Sequence, residues 1–345
     1  MKADPGYFGP QSMMWKVNKE ITVLFGGARA LLMHAAHPLI AAGARQTSFY
    51  QRDPWKRLIR TLSLQNSVTF GTKAEADESA HRINKLHEVI NGEDEVSGGY
   101  YDALDHEQLL WVHACLQISS IYFYEKTVKK LTDEEKNQYH VENMKSAELV
   151  LVNVEKMPKT HGELKNWVIN KSKKDNYLMY TDVAKDVQEI IAGGPVPTHI
   201  KPIWPFIAFT AFNTLPKEFK LLYGIKETKF RSFILEFNLK FLKYITSETF
   251  SFAISTKSDI SCCKLFTRFN ASSRISSSFT VFSTICTRSL KLFEIDSLVA
   301  FKELFKSSIF SSSVMFDFIF FDMLDISSEN SFQLFSSFII KYYIN

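Results

Sequence analysis

Four times between residues 72 and 163 a Thr or Asp is followed three positions later by Glu or Gln: Thr72 and Glu75, Asp105 and Gln108, Thr132 and Glu135, Thr160 and Glu163. In such a pair the first side chain accepts from the backbone N–H three residues on. The second can reach back to the first residue's own N–H, so donors left over at a helix start are satisfied locally. Apolar residues at helical spacing follow these starts: Ala76, Ala80, Ile83 and Ile90 with His87 among them, then Leu109, Val112 and Leu116 beside His113. The helix opened by Thr132 is expected to run towards Val154. Upstream, Ile21, Leu24, Phe25, Ala28, Leu31, Leu32 and Ala35 keep the same spacing. Pro38 then bends or ends the helix, because proline has no N–H to give and crowds the preceding turn. Strict alternation persists nowhere over several segments. The expected fold is therefore all-α, a helical bundle with no significant sheet.

Composition divides the chain. All nine histidines lie at or before His199, and the last Trp, Pro and Gly are Trp204, Pro216 and Gly224. Residues 246–345 hold 23 Ser and 17 Phe but no Gly, Pro, His or Trp. Turns draw heavily on Gly and Pro, and disorder goes with few aromatics, so this stretch reads as neither an ordinary domain nor an ordinary disordered tail. The expected division is a functional domain over 1–245 and a Ser/Phe-rich tail over 246–345 without a function of its own. Translated non-coding sequence accounts for such a tail better than an appended domain does.

The net charge is +4. Nothing in it asks for a nucleic-acid partner, since such binders concentrate Lys and Arg on one face. Cys115, Cys262, Cys263 and Cys286 form neither a disulfide framework nor a CxxC pair. A reducing, cytoplasmic setting is the simpler reading. No run of 18 clean apolar residues is present, and Ile203–Phe212 is short and preceded by Pro202. That segment is expected to be buried, with a peripheral membrane contact left open. Oligomeric state is not readable.

Several chemistries drop out by motif. Gly26-Gly27 and Gly193-Gly194 complete no phosphate-cradling loop, and there is no GxSxG or HExxH. Histidines remain. His34 and His37 are three apart, a spacing that puts two imidazoles on one helix face if the helix survives Pro38. His87 and His113 each sit among apolar residues of their helices. Either could be a core histidine with both nitrogens satisfied, or a ligand whose second nitrogen is held by a neighbour. In Asp53-Pro54-Trp55-Lys56-Arg57-Leu58-Ile59-Arg60-Thr61, the residues Arg57, Arg60 and Thr61 share a face. Two guanidiniums and a hydroxyl suit an anion or a polarised oxygen, and equally a solvated basic face.

Taken in order, the pieces resemble a family. Asp4-Pro5-Gly6-Tyr7-Phe8-Gly9-Pro10-Gln11-Ser12 comes first. Gly26-Gly27-Ala28-Arg29-Ala30-Leu31-Leu32, His37-Pro38-Leu39-Ile40-Ala41-Ala42-Gly43, Ser48-Phe49, Asp53-Pro54 and Arg57-Leu58-Ile59-Arg60-Thr61 follow. Phe70-Gly71, the helix with His87, and Trp111-Val112-His113-Ala114 complete the series. It is similar to the catalytic domain of the MpaB-type oxygenases and rubber oxygenases (latex-clearing proteins), over roughly residues 4–243. The resemblance implies a globin-like helical core and heme b, with iron held by His87, and His113 and His37 belonging to the cofactor pattern. It implies a distal pocket of Arg57, Arg60 and Thr61. Arg60 stands where the rubber oxygenases carry Lys, which keeps the charge and changes its geometry. The family's distal glutamate has no match. The implied activity is a heme-dependent oxygenase or dioxygenase reaction on a small hydrophobic, isoprenoid-like substrate with dioxygen. Three other readings stay open. One is a non-heme metal oxidoreductase using His34, His37, His87 and His113 with carboxylates such as Asp105, another is a heme or lipid carrier without turnover, and the third is an inactive product of a damaged gene, to which the tail points.

Overall fold

The computed structural model describes residues 6–194, 196 and 201–255. Ser12 accepts from the N–H of Trp15 and opens α1 (Met13–Asn18). A 3-10 turn, Ile21–Leu24, leads into α2 (Phe25–Ala35). Pro38 occupies the first turn of the next helix, α3 (Pro38–Thr47), and the axis turns by 100° between the two. A short α4 (Phe49–Arg52) precedes α5 (Pro54–Phe70), which Asp53 caps by accepting from Lys56 N at 2.8 Å. Gly71 and Thr72 reverse the chain into α6 (Lys73–His87). A two-stranded antiparallel hairpin follows, β1 (Asn91–Glu93) with β2 (Tyr100–Asp102), Gly92 opposite Tyr101. Then come α7 (His106–Thr127), α8 (Asp133–Leu149), α9 (His161–Ser172) and α10 (Asp182–Gly193). The last are α11 (Trp204–Asn213), α12 (Lys217–Leu222) and α13 (Lys229–Ser255). The fold is all-α, and the hairpin is the sheet found among the described residues.

The helix starts read from the sequence are formed. Thr72 with Glu75 and Thr132 with Glu135 make full capping boxes. Asp105 accepts from Gln108 N, and Thr160 accepts from Glu163 N. Two ends differ from expectation. The helix bearing His87 stops there, so Ile90 lies beyond it. α8 ends at Leu149 rather than near Val154, because Leu151 takes a left-handed φ of +66° and the N–H groups of Leu151 and Val152 turn back to Glu148 and Ala147.

Residues 6–194 and 207–255 belong to one compact unit. Of a second unit, Pro195–Phe206 with Ala271–Asn345, only 196 and 201–206 are described, as a 3-10 turn at Lys201–Ile203 and the start of α11. The tail expectation for 246–345 lies outside the described residues from 256 onward. Among the described residues no single helix is long and apolar enough to cross a membrane, although α2 and α3 with the preceding turn pass that test as a bent pair. In the apolar Ile203–Phe212 segment, Ala208, Phe209, Ala211 and Phe212 are buried.

The core is α2 laid against α7. Leu32, Met33, Trp111, Ala114 and Cys115 are buried there with Leu164, Val187 and Phe219. A buried helix end needs donors for its free carbonyls. For α2 they come from far away: Trp111 Nε1 donates to Met33 O (3.2 Å), Tyr223 OH to Leu32 O (2.7 Å) and Met179 N to Ala36 O (2.9 Å). Arg29, 5 % exposed, ties three helices without a carboxylate. It donates to Ser119 Oγ (2.6 Å) on α7 and to Thr214 O (2.9 Å) after α11, and lies over the Tyr122 ring. Thr214 O is at the negative end of α11, where a cation is favoured. Burial lowers the guanidinium only to about 10, so it stays charged.

Candidate functional site

The α5–α6 helical hairpin sets the stage. Arg57 lies 14 residues before Gly71 and His87 16 residues after it. At 1.5 Å per residue these are about 21 and 24 Å from the bend along antiparallel axes. Arg57 and His87 therefore lie near the far ends of the two arms, away from the bend. α5 is amphipathic with little burial, Val68 and Thr69 being its buried residues, and both lie near the bend. The opposite, Arg57 end is open.

Arg57 is half-buried. Its guanidinium has no hydrogen bond or ion pair among the described residues, and burial lowers its pKa, with the Tyr50 phenol as an electrostatic neighbour. The same cation faces His34 at the end of α2 and helps lower that histidine, after the larger effect of burial. Arg60 and Thr61 are exposed. Thr61 Oγ1 donates to Arg57 O (3.1 Å) on its own helix. Of the three side chains read as one face, Arg57 is therefore the one turned inwards.

The two histidines before Pro38 do not share a face, because the 100° bend separates them. His34 Nε2 donates to Val112 O (3.0 Å). That bond fixes the tautomer and leaves the lone pair on Nδ1. His37 becomes the residue before α3 and stands in an aromatic cage, edge-on to Tyr177 (4.7 Å) and 5.7 Å from Trp111. Burial takes both to about 4, so both are neutral near pH 7.

His113 looks the other way along α7. One turn on is Gln117, and the two face α8, where His140 and Asn143 meet them. Gln117 organises a polar layer that the sequence did not announce. Its Nε2 donates to His140 Nδ1 (3.0 Å) and points to His161 Nδ1 (3.4 Å), and its Oε1 accepts from Asn143 Nδ2 (3.3 Å). His140 Nε2 donates to Pro158 O (2.9 Å), so one tautomer satisfies every bond of that ring. The signal for this layer was faint: Gln117 lies one turn after His113 within an otherwise apolar helix.

One property separates the histidines. His34, His106, His140 and His161 each have a hydrogen-bonded ring nitrogen, and His81 is exposed. Among the described residues, His37 Nδ1, His87 Nδ1 and His113 Nε2 are buried with no partner, while the Asn143 backbone meets the His113 ring at its other side. His87 is half-buried at the last position of α6, and burial lowers its pKa. Burial takes His113 to about 4, with His140 adding to the effect.

Among the described residues, no three His, Cys, Asp or Glu side chains converge to hold a metal ion. His34, His37, His87 and His113 therefore do not form the shared cluster that a non-heme centre would need, and Asp105 is spent on capping α7. A single axial imidazole, which is all that a heme requires, is compatible with this arrangement. A cavity of about 290 Å³ opens between α3 and the hairpin, but charged side chains line it and none of the residues above do. One wall is Arg45, held by Asp94 (2.8 Å) and in a two-pronged pair by Asp182.

The family described as ER-bound oxygenase mpaB/B'/Rubber oxygenase, catalytic domain, matches residues 15–243. Comparison with curated proteins gives no match, and comparison with solved structures gives none.

Proposed function

The chain belongs to the family of ER-bound oxygenase mpaB/B' and rubber-oxygenase catalytic domains, and from that premise we propose that it uses heme b to oxidise a small hydrophobic substrate with dioxygen. One observation carries the heme part: among the described residues, the three histidines that the family resemblance singles out are the three with a buried, unpartnered ring nitrogen. A buried imidazole atom without a partner costs stability. A fold keeps such atoms where something else is meant to meet them.

His87 is the iron ligand in this reading. It is neutral, only half-buried, and lies, like Arg57, near the far end of its arm of the α5–α6 hairpin. When bound, the heme supplies the one-electron and dioxygen chemistry that no side chain offers. The rest is the work of this chain. Arg57 presents a positive charge that no described carboxylate neutralises, in a partly dry place where a charge acts strongly on a developing anion. Arg60, at the exposed rim, suits a porphyrin carboxylate. Thr61 gives its proton to Arg57 O, so it meets a ligand through its lone pairs unless it breaks that bond. His34 carries its lone pair on Nδ1 within reach of the Arg57 field and can hold a proton there, a role for which the family's missing glutamate leaves room. Its value of about 4 makes it a weak base.

The test is an absorption spectrum of the full chain made with ample iron and porphyrin precursor, before and after reduction. A Soret band that shifts on reduction is expected. His87→Ala should abolish it, while His113→Ala and His37→Ala should weaken heme retention without abolishing it. A colourless wild-type protein overturns the reading.

A further inference from the structure

Asn84 and His87 lie three residues apart on α6, so their side chains are neighbours on one face. Asn84 Nδ2 donates to Leu149 O (2.9 Å) at the end of α8. Only the amide nitrogen can do that, so the amide cannot be turned over. Its Oδ1 is left as a buried acceptor without a donor, and His87 Nδ1 beside it is buried without a partner as well. An orphaned acceptor and an orphaned ring nitrogen, one turn apart, are complementary. If Nδ1 carries the proton, a single water that accepts from it and donates to Asn84 Oδ1 satisfies both atoms at once.

We propose that Asn84 is the positioning residue for His87: its carbonyl oxygen fixes the Nδ1–H tautomer and so turns the Nε2 lone pair outwards. This rests on the reading of His87 as the iron ligand. A neutral imidazole has one proton and one lone pair, and a proton fixed at Nδ1 leaves only Nε2 able to coordinate. A ligating histidine generally donates its other N–H to a nearby acceptor, which sets the ring orientation and the donor strength of the ligand. Leu149 O is the anchor of the device. By holding the amide of Asn84 from the α8 side, it ties the orientation of the ligand to the packing of α6 on α8.

The experiment reads the tautomer first, on the full chain without porphyrin. Nitrogen-15 histidine spectra, with His87 assigned by its loss in His87→Gln, should show Nδ1 protonated. Asn84→Leu should move His87 towards the Nε2–H form. Asn84→Asp keeps an acceptor but gives up the bond to Leu149 O, so it should restore the Nδ1–H form in part. Porphyrin uptake is read second. Asn84→Leu should weaken heme retention about 10- to 100-fold, the usual cost of losing such a partner. Asn84→Asp should retain heme and lower the iron reduction potential, because a carboxylate makes the ring a stronger donor. A wild-type His87 protonated at Nε2, or Leu and Asp variants with the same tautomer and the same heme retention, overturns the proposal. Wild-type protein that shows the expected tautomer but takes up no porphyrin sinks the heme reading and leaves Asn84 in its place.

Discussion

Two regions of this molecule treat their polar groups in opposite ways. Between α7, α8 and α9, Gln117 binds His140, His161 and Asn143, and His140 also reaches Pro158 O. Donors and acceptors there are matched across three helices. On the arms of the α5–α6 hairpin, Arg57 has no counter-charge among the described residues, and His87 Nδ1 and Asn84 Oδ1 are buried there without described partners. The first region is built for architecture, because the Gln117 amide and both ring nitrogens of His140 are matched by bonds, with His113 Nε2 as the exception among the described residues. The second holds groups at a cost that the fold itself does not recover, which is how sites for a ligand differ from core.

The largest effect should come from acid, and it should strike the buried histidines of both the matched layer and the α2–α3 bend. His34, His37, His113 and His161 are held at about 4 by burial, against 6.5 for a free histidine, and His140 is lowered as well. The unfolded chain therefore binds more protons, and stability falls as pH drops from about 6.5 to about 4. Near-ultraviolet circular dichroism should show loss of tertiary structure across that window. A native spectrum retained at pH 4 would contradict the assignment. Next in size, Trp111→Ala empties the fully buried centre of the α2–α7 core and should cost about 3–5 kcal/mol in urea unfolding. Gln117→Leu leaves His140 Nδ1 and Asn143 Nδ2 without partners and should cost about 1–3 kcal/mol per orphaned group. If the loss is much smaller, the layer is not the architecture described. Arg57→Leu sits at the other extreme. It removes an unpaired, half-buried charge, so stability without heme should change by about 0.5 kcal/mol or less, or rise, while oxygen consumption by the heme-loaded protein falls. A large destabilisation would move Arg57 from site to scaffold.

What could be read from the sequence follows from the range of the forces involved. The starts at Thr72, Asp105, Thr132 and Thr160 are bonds over three residues, and Pro38 acts within one turn, so both are written locally. The parting of His34 and His37 depends on how far the chain turns at Pro38, which no spacing rule gives. The Gln117 layer joins residues 23 and 44 positions apart, and the anchor of Asn84 lies 65 residues away. Such pairings exist only once α8 has packed. Arg57 was visible as part of a basic face, but its lack of a carboxylate is a fact about space. The family match covers 15–243 and adds the functional meaning that spacing alone did not provide.

The hydroxyl of Tyr223 meets the carbonyl of Leu32 across 191 residues of chain. On the ribosome, at about 5–20 residues per second, α2 emerges some 10 to 40 seconds before the group that closes its end. Through that interval Leu32, Met33 and their neighbours have no finished wall to rest against. Until residue 223 is out, that end of α2 waits for its donor, and a message truncated before that codon yields a chain that cannot make this closing bond.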